Sequence, residues 1–452
     1  MKKVLIANRG EIAVRIIRAC RELGYKTVAV YSEADATSIH SKLADESICI
    51  GPASSTESYL NIPAIMAAAE MSGADAIHPG FGFLAENPRF AESCRRCDVT
   101  FIGPTPEQMH ALGDKIRARE VAKKAGLPFL PGSNGAIETV EQGLSEAERI
   151  GYPVILKASG GGGGRGMKIV HNEEDFERAY QSCQTEAAAS FGNPEVYIEK
   201  YLTSPRHVEV QILGDSKGNI IHLGERDCTV QRRHQKLIEE SPCPHFTQEL
   251  RDEVGAIAVS LAREVGYQGA GTVEFLMDGD RNVYFMEMNT RIQVEHPVTE
   301  MVTGVDLVKW QLRIAFGEKL SIEQKDVKVR GHAIECRINA EDPVSFAPWP
   351  GTIQSYSQPG GMGVRVDGFV YHGYTVVPFY DSMLAKLIVF GENRAEALAR
   401  MSSSLSEFVI KGIKTNISFH KKVIEHKDFK EAKHSTRFLE EAGFIKPPKK
   451  KS

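Results

Sequence analysis

No stretch of this chain stays apolar for long. After Met1-Lys2-Lys3 the first hydrophobic run is only Val4 to Ala7, too short for the core of a signal peptide. No later run approaches the length of a membrane span. No membrane association and a cytoplasmic location are therefore expected. Cysteine is sparse and scattered, with eight residues at 20, 49, 94, 97, 183, 228, 243 and 336, so reduced thiols are the default. Cys94-Arg-Arg-Cys97 has metal-ligand spacing but no second pair, and it reads as a helix face. An excess of one charge is missing too: a net charge of −4 over 452 residues leaves no nucleic-acid footprint. The only basic run, Lys446-Pro-Pro-Lys449-Lys450-Lys451, reads as a tail. There is no G-x-G-x-x-G at the first strand–helix turn, Asn8-Arg9-Gly10-Glu11, so a nicotinamide or flavin dinucleotide is not indicated. No internal repeat is visible.

What remains is an ordinary globular composition, 42% hydrophobic and 25% charged, in a chain long enough for two to four domains. The first hundred residues alternate strand and helix: Val4–Ala7, a helix over Glu11–Glu22, then strands at Thr27–Tyr31, Ala74–His78 and Val99–Ile102. That order predicts a parallel sheet with crossover helices. Gly113-Asp114-Lys115 opens a helix that ends near Gly126, and Pro128, Pro131 and Gly132 then mark a boundary. Strands at Pro153–Ala158 and Lys168–Val170 flank a glycine run, and Val196–Lys200 is another. From His207 the pattern becomes antiparallel, Asp252–Val265 reads as a helix, and after Gly331 strands and turns dominate until closing helices.

The most informative segment is Tyr284 to Glu295. Glu287, Asn289, Arg291, Gln293 and Glu295 occupy every second position, so a strand through them would place five metal-, anion- or proton-binding groups on one face. Pro297 would end that strand. Upstream, Thr272–Met277 is strand-like and Asp278–Asn282 is turn-like. The implied register sets Glu274 opposite Glu287, with Cβ atoms roughly 4.5–5.5 Å apart, and like charges so placed repel. A divalent cation between them would remove the conflict, and magnesium suits carboxylate oxygens shared with phosphates. A half-buried strand with a solvated polar face is the alternative.

The glycine run, Gly160 to Gly164, is costly to order. It suits a hairpin tip that opens and closes, or one whose N–H groups approach a phosphate. No Gly-Lys-Ser/Thr follows, so it is not a P-loop. Lys157, just before the run, and Lys115, at a helix start, are candidate phosphate ligands.

Taken together, five ordered motifs identify a resemblance. Ile6-Ala-Asn-Arg-Gly-Glu-Ile12, His78-Pro-Gly-Phe-Gly-Phe-Leu-Ala-Glu86, Lys157-Ala-Ser-Gly-Gly-Gly-Gly-Gly-Arg-Gly-Met167, Gly224-Glu-Arg-Asp-Cys-Thr-Val-Gln-Arg-Arg-His-Gln-Lys236 and Glu287-Met-Asn-Thr-Arg-Ile-Gln-Val-Glu-His296 resemble those of biotin carboxylases in the ATP-grasp superfamily. The resemblance covers nearly the whole chain. It implies a multidomain α/β and α+β fold. A doubly wound, Rossmann-like N-terminal domain would span 1–113, and an ATP-grasp core 114–330 would carry a mobile lid near 131–203. A β-rich C-terminal domain would span 331–452.

The resemblance also implies roles. ATP would lie between lid and core, with Lys115, Lys157, Gly162, Gly163 and Gly164 near its phosphates. Glu199, Lys200, Tyr201 and Leu202 would frame the adenine, and His207, Gln231 and His234 would lie near the ribose and phosphates. Glu274, Glu287 and Asn289 would hold Mg²⁺ or Mn²⁺ at two sites. Bicarbonate would be held by Arg291, Lys236, Gln293 and the Val294 backbone, with Glu295 as general base. Attack on the γ-phosphate would give carboxyphosphate, and Arg337 would stabilise the biotin enolate. Phe81 stands where the family motif often has tyrosine; its ring is retained for biotin contact and the hydroxyl is lost. No Met-Lys-Met of a carrier hairpin occurs, so biotin is expected on a separate biotin carboxyl carrier protein. The carboxyltransferase subunits would be separate too, and the enzyme homodimeric. Acetyl-CoA carboxylase, and so malonyl-CoA for fatty acid synthesis, is the expected assembly. A pyruvate or propionyl-CoA carboxylase is the alternative, followed by a different ATP-grasp carboxylate ligase.

Overall fold

The computed structural model describes residues 1–113, 115–158, 166–191 and 193–445. The chain divides into two units. The first comprises Met1–Leu127, Arg206–Phe275 and Met286–Ser452, and the second Pro128–Pro205 with Leu276–Phe285.

In the first unit, Val4, Leu5 and Ile6 are all fully buried, as a strand covered on both faces requires. The strand Lys3–Ile6 is the centre of a five-stranded parallel sheet. Lys26–Tyr31 and Glu46–Cys49 lie on one side of it, Ala76–His78 and Thr100–Phe101 on the other. The sheet is parallel, as the alternation predicted, and the chain winds first one way and then the other, as the resemblance implied. The helix Gly10–Glu22 follows the first strand through a turn in which Gly10 has φ +68°. A side chain there would be strained and would press on the Phe369 ring.

The same unit carries most of an eight-stranded sheet. Its order is Val283–Asn289, Gly269–Met277, Arg206–Gly214, Ile220–Arg232, Gln235–Ser241, His332–Asn339, Met383–Gly391 and Val364–Gly368. Arg233 and His234 join two of these strands in a two-residue turn, both at positive φ, which suits the twist of a tight hairpin. The helix His296–Thr303 packs across four of the strands. The helices Arg394–Glu407 and Ile417–Glu425 cover the C-terminal part, where Ile334, Leu387, Met401 and Val423 share one core.

The second unit is a three-stranded antiparallel sheet, Met167–Val170, Val154–Ala158 and Val196–Lys200. The helices Val140–Ile150 and Phe176–Phe191 accompany it, around Leu156, Phe176 and Ile198. Lys157 pairs with Met167, so the glycine run does join two adjacent strands. Residues 159–165, including Gly162, Gly163 and Gly164, lie outside the described residues.

One expectation fails. The strand that begins at Val283 stops at Asn289 rather than running through Glu295. The N–H of Thr290 donates to Glu86 Oε1 at 3.0 Å and Arg291 Nε to Glu86 Oε2 at 2.9 Å. A carboxylate from a distant part of the chain thus takes the ladder's place. Pro297 does not terminate a strand; it sits in the first turn of the helix His296–Thr303, where its missing N–H costs nothing.

Candidate functional site

Although the strand ends early, its polar residues still converge. Glu274, on Gly269–Met277, is the centre. Its Oε1 accepts from Asn289 Nδ2 at 2.9 Å, Lys236 Nζ at 2.9 Å and Gln293 Nε2 at 3.3 Å. Its Oε2 meets His207 Nε2 at 3.1 Å. Arg291 reaches Gln293 Oε1 at 2.8 Å and Asn289 Oδ1 at 3.1 Å. Turn geometry rather than strand alternation thus gathers Asn289, Arg291 and Gln293.

Lys236 is the hub of a buried charge cluster. Besides Glu274 it reaches Glu295 Oε1 at 2.8 Å and Glu209 Oε2. Glu209 also holds Arg226, which is itself fully buried and donates to Gln211, Thr272 and Thr299. Burial pushes the Glu295 carboxyl up, but Lys236, Arg337 and Arg226 outweigh it and hold it well below the usual carboxylate range. The same contest at Glu274 is won by Lys236 and His207. Burial opposes the Lys236 charge, yet three carboxylates keep the ammonium well above its ordinary value.

Across the sheet the balance reverses. Arg337 Nη2 donates to Glu295 Oε2 at 2.9 Å and its Nε to Glu239 Oε1 at 2.6 Å. Glu239 and Glu335 stand directly opposite on neighbouring antiparallel strands, both fully buried. Neither oxygen of Glu335 has a hydrogen-bond partner, nor has Glu239 Oε2. Burial pushes both carboxyls up, and neither Arg337 nor Lys386 offsets it. An opposed pair of buried acids, of the kind expected for Glu274 and Glu287, occurs here between Glu239 and Glu335. Glu287 is exposed, whereas Glu274 is buried among cations.

Oxygen donors from Glu274, Glu287 and Asn289 suit a hard divalent cation. Glu274 and Asn289 are in contact, at 2.9 Å, and Glu287 lies two residues from Asn289 on the same strand. The donor set fits magnesium or manganese in kind, although Lys236 already neutralises part of Glu274.

Gln231 lies opposite Lys236 in the hairpin register and is half-buried, while His234 is exposed at the turn. Phe81 is half-buried and lines a cavity of about 340 Å³ with Asn8, Arg9, Phe83, Phe369 and Tyr380. Arg337 does not line that cavity. In the second unit, Lys157 is ion-paired with the buried Glu199. Lys200 Nζ donates to Gly151 O at 2.8 Å, and Tyr201 and Leu202 are half-buried. Lys115 begins the helix Lys115–Lys124, and its side chain lies outside the described residues.

Glu209, Arg226, Glu239, Glu335, Glu86 and Lys386 were not anticipated from the sequence. A signal existed for Glu209: His207, Glu209 and Gln211 alternate with Val208, Val210 and Ile212, and all six are buried. Polar residues on an otherwise apolar strand need partners: Arg226 and Lys236 supply them for Glu209, Arg226 for Gln211 and Glu274 for His207.

Residues 1–109 match the family described as Biotin carboxylase, N-terminal domain, and 335–441 match Biotin carboxylase C-terminal domain. Residues 114–323 match Carbamoyl-phosphate synthase L chain, ATP binding domain. The chain is 58% identical over 442 residues to biotin carboxylase 1 of Bacillus subtilis, covering 97% of this chain and 98% of that one. It is 55% identical over 441 residues to a pyruvate carboxylase subunit of Methanothermobacter thermautotrophicus, covering 97% and 89%. Among solved structures it resembles the biotin carboxylase domain dimer of Hydrogenobacter thermophilus 2-oxoglutarate carboxylase, in complex with MgADP, ADP and bicarbonate. The TM-score is 0.89 and the identity 51%, over 99% of both chains.

Proposed function

This chain belongs to the biotin carboxylase family, whose reaction is the ATP-dependent carboxylation of biotin, and from that premise we propose how its residues divide the work. Arg291 and Lys236 bind bicarbonate, with Gln293 and the Val294 backbone completing the cradle. The planar guanidinium of Arg291 can meet two carboxylate-like oxygens at once. Glu295 is the general base. In the free protein its carboxylate is held ionised by Lys236 and Arg337, which makes it ready but weak. A bicarbonate anion drawn to Lys236 shares that cation's charge and strengthens the base where the proton must move.

The structural relative's MgADP and bicarbonate support the same ligands here. Glu274, Glu287 and Asn289 would hold the metal, and its charge would neutralise the phosphate oxygens as they separate. Lys157 and Glu199 of the second unit are proposed to face the nucleotide, with Lys115, Lys200, Tyr201, Leu202, His207, Gln231 and His234. Lys157 would leave Glu199 for phosphate, since both are anions and the ammonium is a point charge. Once carboxyphosphate has formed and released CO₂, phosphate takes the ureido proton of biotin. Arg337 stabilises the enolate, and the Phe81 ring contacts biotin.

The convergence of Lys236 on Glu209, Glu274 and Glu295 carries this reading. It places one cation between the proposed metal carboxylate and the proposed base. The test is ADP release by the purified protein with bicarbonate and free biotin varied separately. Turnover should require bicarbonate and rise with biotin; indifference to both would refute it.

The downstream assembly is proposed to be acetyl-CoA carboxylase, acting with a separate biotin carrier and carboxyltransferase as a homodimer in the cytoplasm. Relatives named biotin carboxylase, at 55–58% identity and covered over 98% of their own length, support a separate carrier and carboxyltransferase. The 55% identity to a pyruvate carboxylase component supports the second reading, an enzyme serving a keto acid. Affinity capture from the native cell decides between them by the carboxyltransferase recovered.

A further inference from the structure

We propose that Lys386 is a positioning residue for the loop that carries the general base, an inference that rests on the bicarbonate site proposed above. The loop Thr290–Glu295 belongs to no ladder, so its backbone must be held from outside. Glu86 holds its start through the Thr290 N–H. Its end is held twice. His296 Nδ1 meets Gln293 O at 2.8 Å, and Lys386 Nζ donates to Val294 O at 2.8 Å.

These two carbonyls belong to consecutive peptides. The first peptide carries the Val294 N–H, and the second leads directly into Glu295. Fixing both orients the proposed backbone ligand and the base together. Since His296 is buried and held neutral by that burial, its Nδ1 carries the proton that reaches Gln293 O. Lys386 comes from the buried strand Met383–Gly391, opposite Arg337 on one neighbour and Asp367 on the other. It is fully buried.

A plainer role is available, because Lys386 Nζ also lies 3.2 Å from Glu11 Oε2. If Lys386 only neutralises Glu11, removing both charges together should restore function. Positioning predicts otherwise, since the Val294 carbonyl would still lose its donor. A lost hydrogen bond from a charged donor is worth about tenfold in an apparent binding constant.

The experiment compares steady-state kinetics of the wild type, Lys386→Met and the double variant Lys386→Met/Glu11→Gln. Both variants should raise the bicarbonate KM about tenfold while the ATP KM stays within about twofold. The double variant should melt close to the wild type, and it carries the decision if the single variant does not fold. Return of the double variant to the wild-type bicarbonate KM would overturn the proposal, as would an unchanged KM in the single variant. A wild type whose ATP turnover ignores bicarbonate would overturn the underlying site reading as well.

Discussion

Glu274 and Glu335 lie in one sheet and are both buried, yet they are held in opposite states. Glu274 receives Lys236, His207, Asn289 and Gln293 and stays ionised. Glu335 faces another carboxyl, has no hydrogen-bond partner, and is pushed towards its neutral form. Burial raises the carboxyl pKa in both places, so the nearby cations decide the outcome. On the proposed site, the cation-rich half is the one that would meet the metal and bicarbonate. The acid-rich half lies against Arg337, which donates to both Glu239 and Glu295, and burial there pushes the Glu239 and Glu335 carboxyls up.

The largest test of this contrast is Lys236→Met. Three carboxylates lose their shared cation and bicarbonate its proposed ligand, so bicarbonate-dependent turnover should fall on the order of 10³-fold. Initial-rate assays read this directly, and retained turnover would show that Lys236 is only a structural counter-ion. Next comes Glu274→Gln. It removes the charge from a buried pair with Lys236 and His207, and chemical denaturation should show a loss of about 2–3 kcal/mol.

Acidification should act on the buried histidines. Burial depresses His40, His420 and His434 to about 4 and His78 to about 3. Their contribution to stability is therefore full above the unfolded value near 6.5 and is lost as pH falls towards those depressed values. Glu11 and Glu239, raised by burial to about 7, and Glu335, raised likewise, act with the opposite sign above their unfolded values, but the depressed histidines, His222 and His296 among them, outnumber them. Melting temperature should decline from pH 6.5 towards 4, and a flat profile would contradict the burial argument.

The smallest effect belongs to Glu335→Gln. Burial pushes the Glu335 carboxyl towards its neutral form, so an amide in its place removes little charge and brings a donor beside Glu239, whose Oε2 has no partner. Stability should change by less than about 1 kcal/mol. A loss matching that of Glu274→Gln would mean that Glu335 is ionised after all, and the contrast would collapse.

These two halves were unequally legible in the sequence. Strand and helix alternation in the first hundred residues, and the hairpin around the glycine run, follow from local pattern. Lys236, Arg291 and Glu295 were named because motifs contain them, and Glu274 because the hairpin register set it opposite Glu287; the structure gathers all four around one cluster. Alternation from Glu287 to Glu295 suggested one long strand. The chain leaves the sheet at Asn289 because Glu86, 204 positions away, captures Thr290. Nothing local encodes that partner. Likewise Glu239 and Glu335 are far apart in the chain, and only strand register makes them neighbours. Lys386 sits in an apolar run that reads as core, and its meaning depends on Val294 and Glu11.

The proposed division of labour rests most heavily on Glu295, whose carboxylate is proposed to accept the proton of bicarbonate. The decisive measurement is ADP release by Glu295→Gln across a bicarbonate titration, with nucleotide binding measured in parallel. The amide keeps the shape and can still meet Lys236, but it cannot take the proton. Nucleotide affinity should persist while bicarbonate-dependent turnover disappears; turnover equal to the wild type would show that the base lies elsewhere.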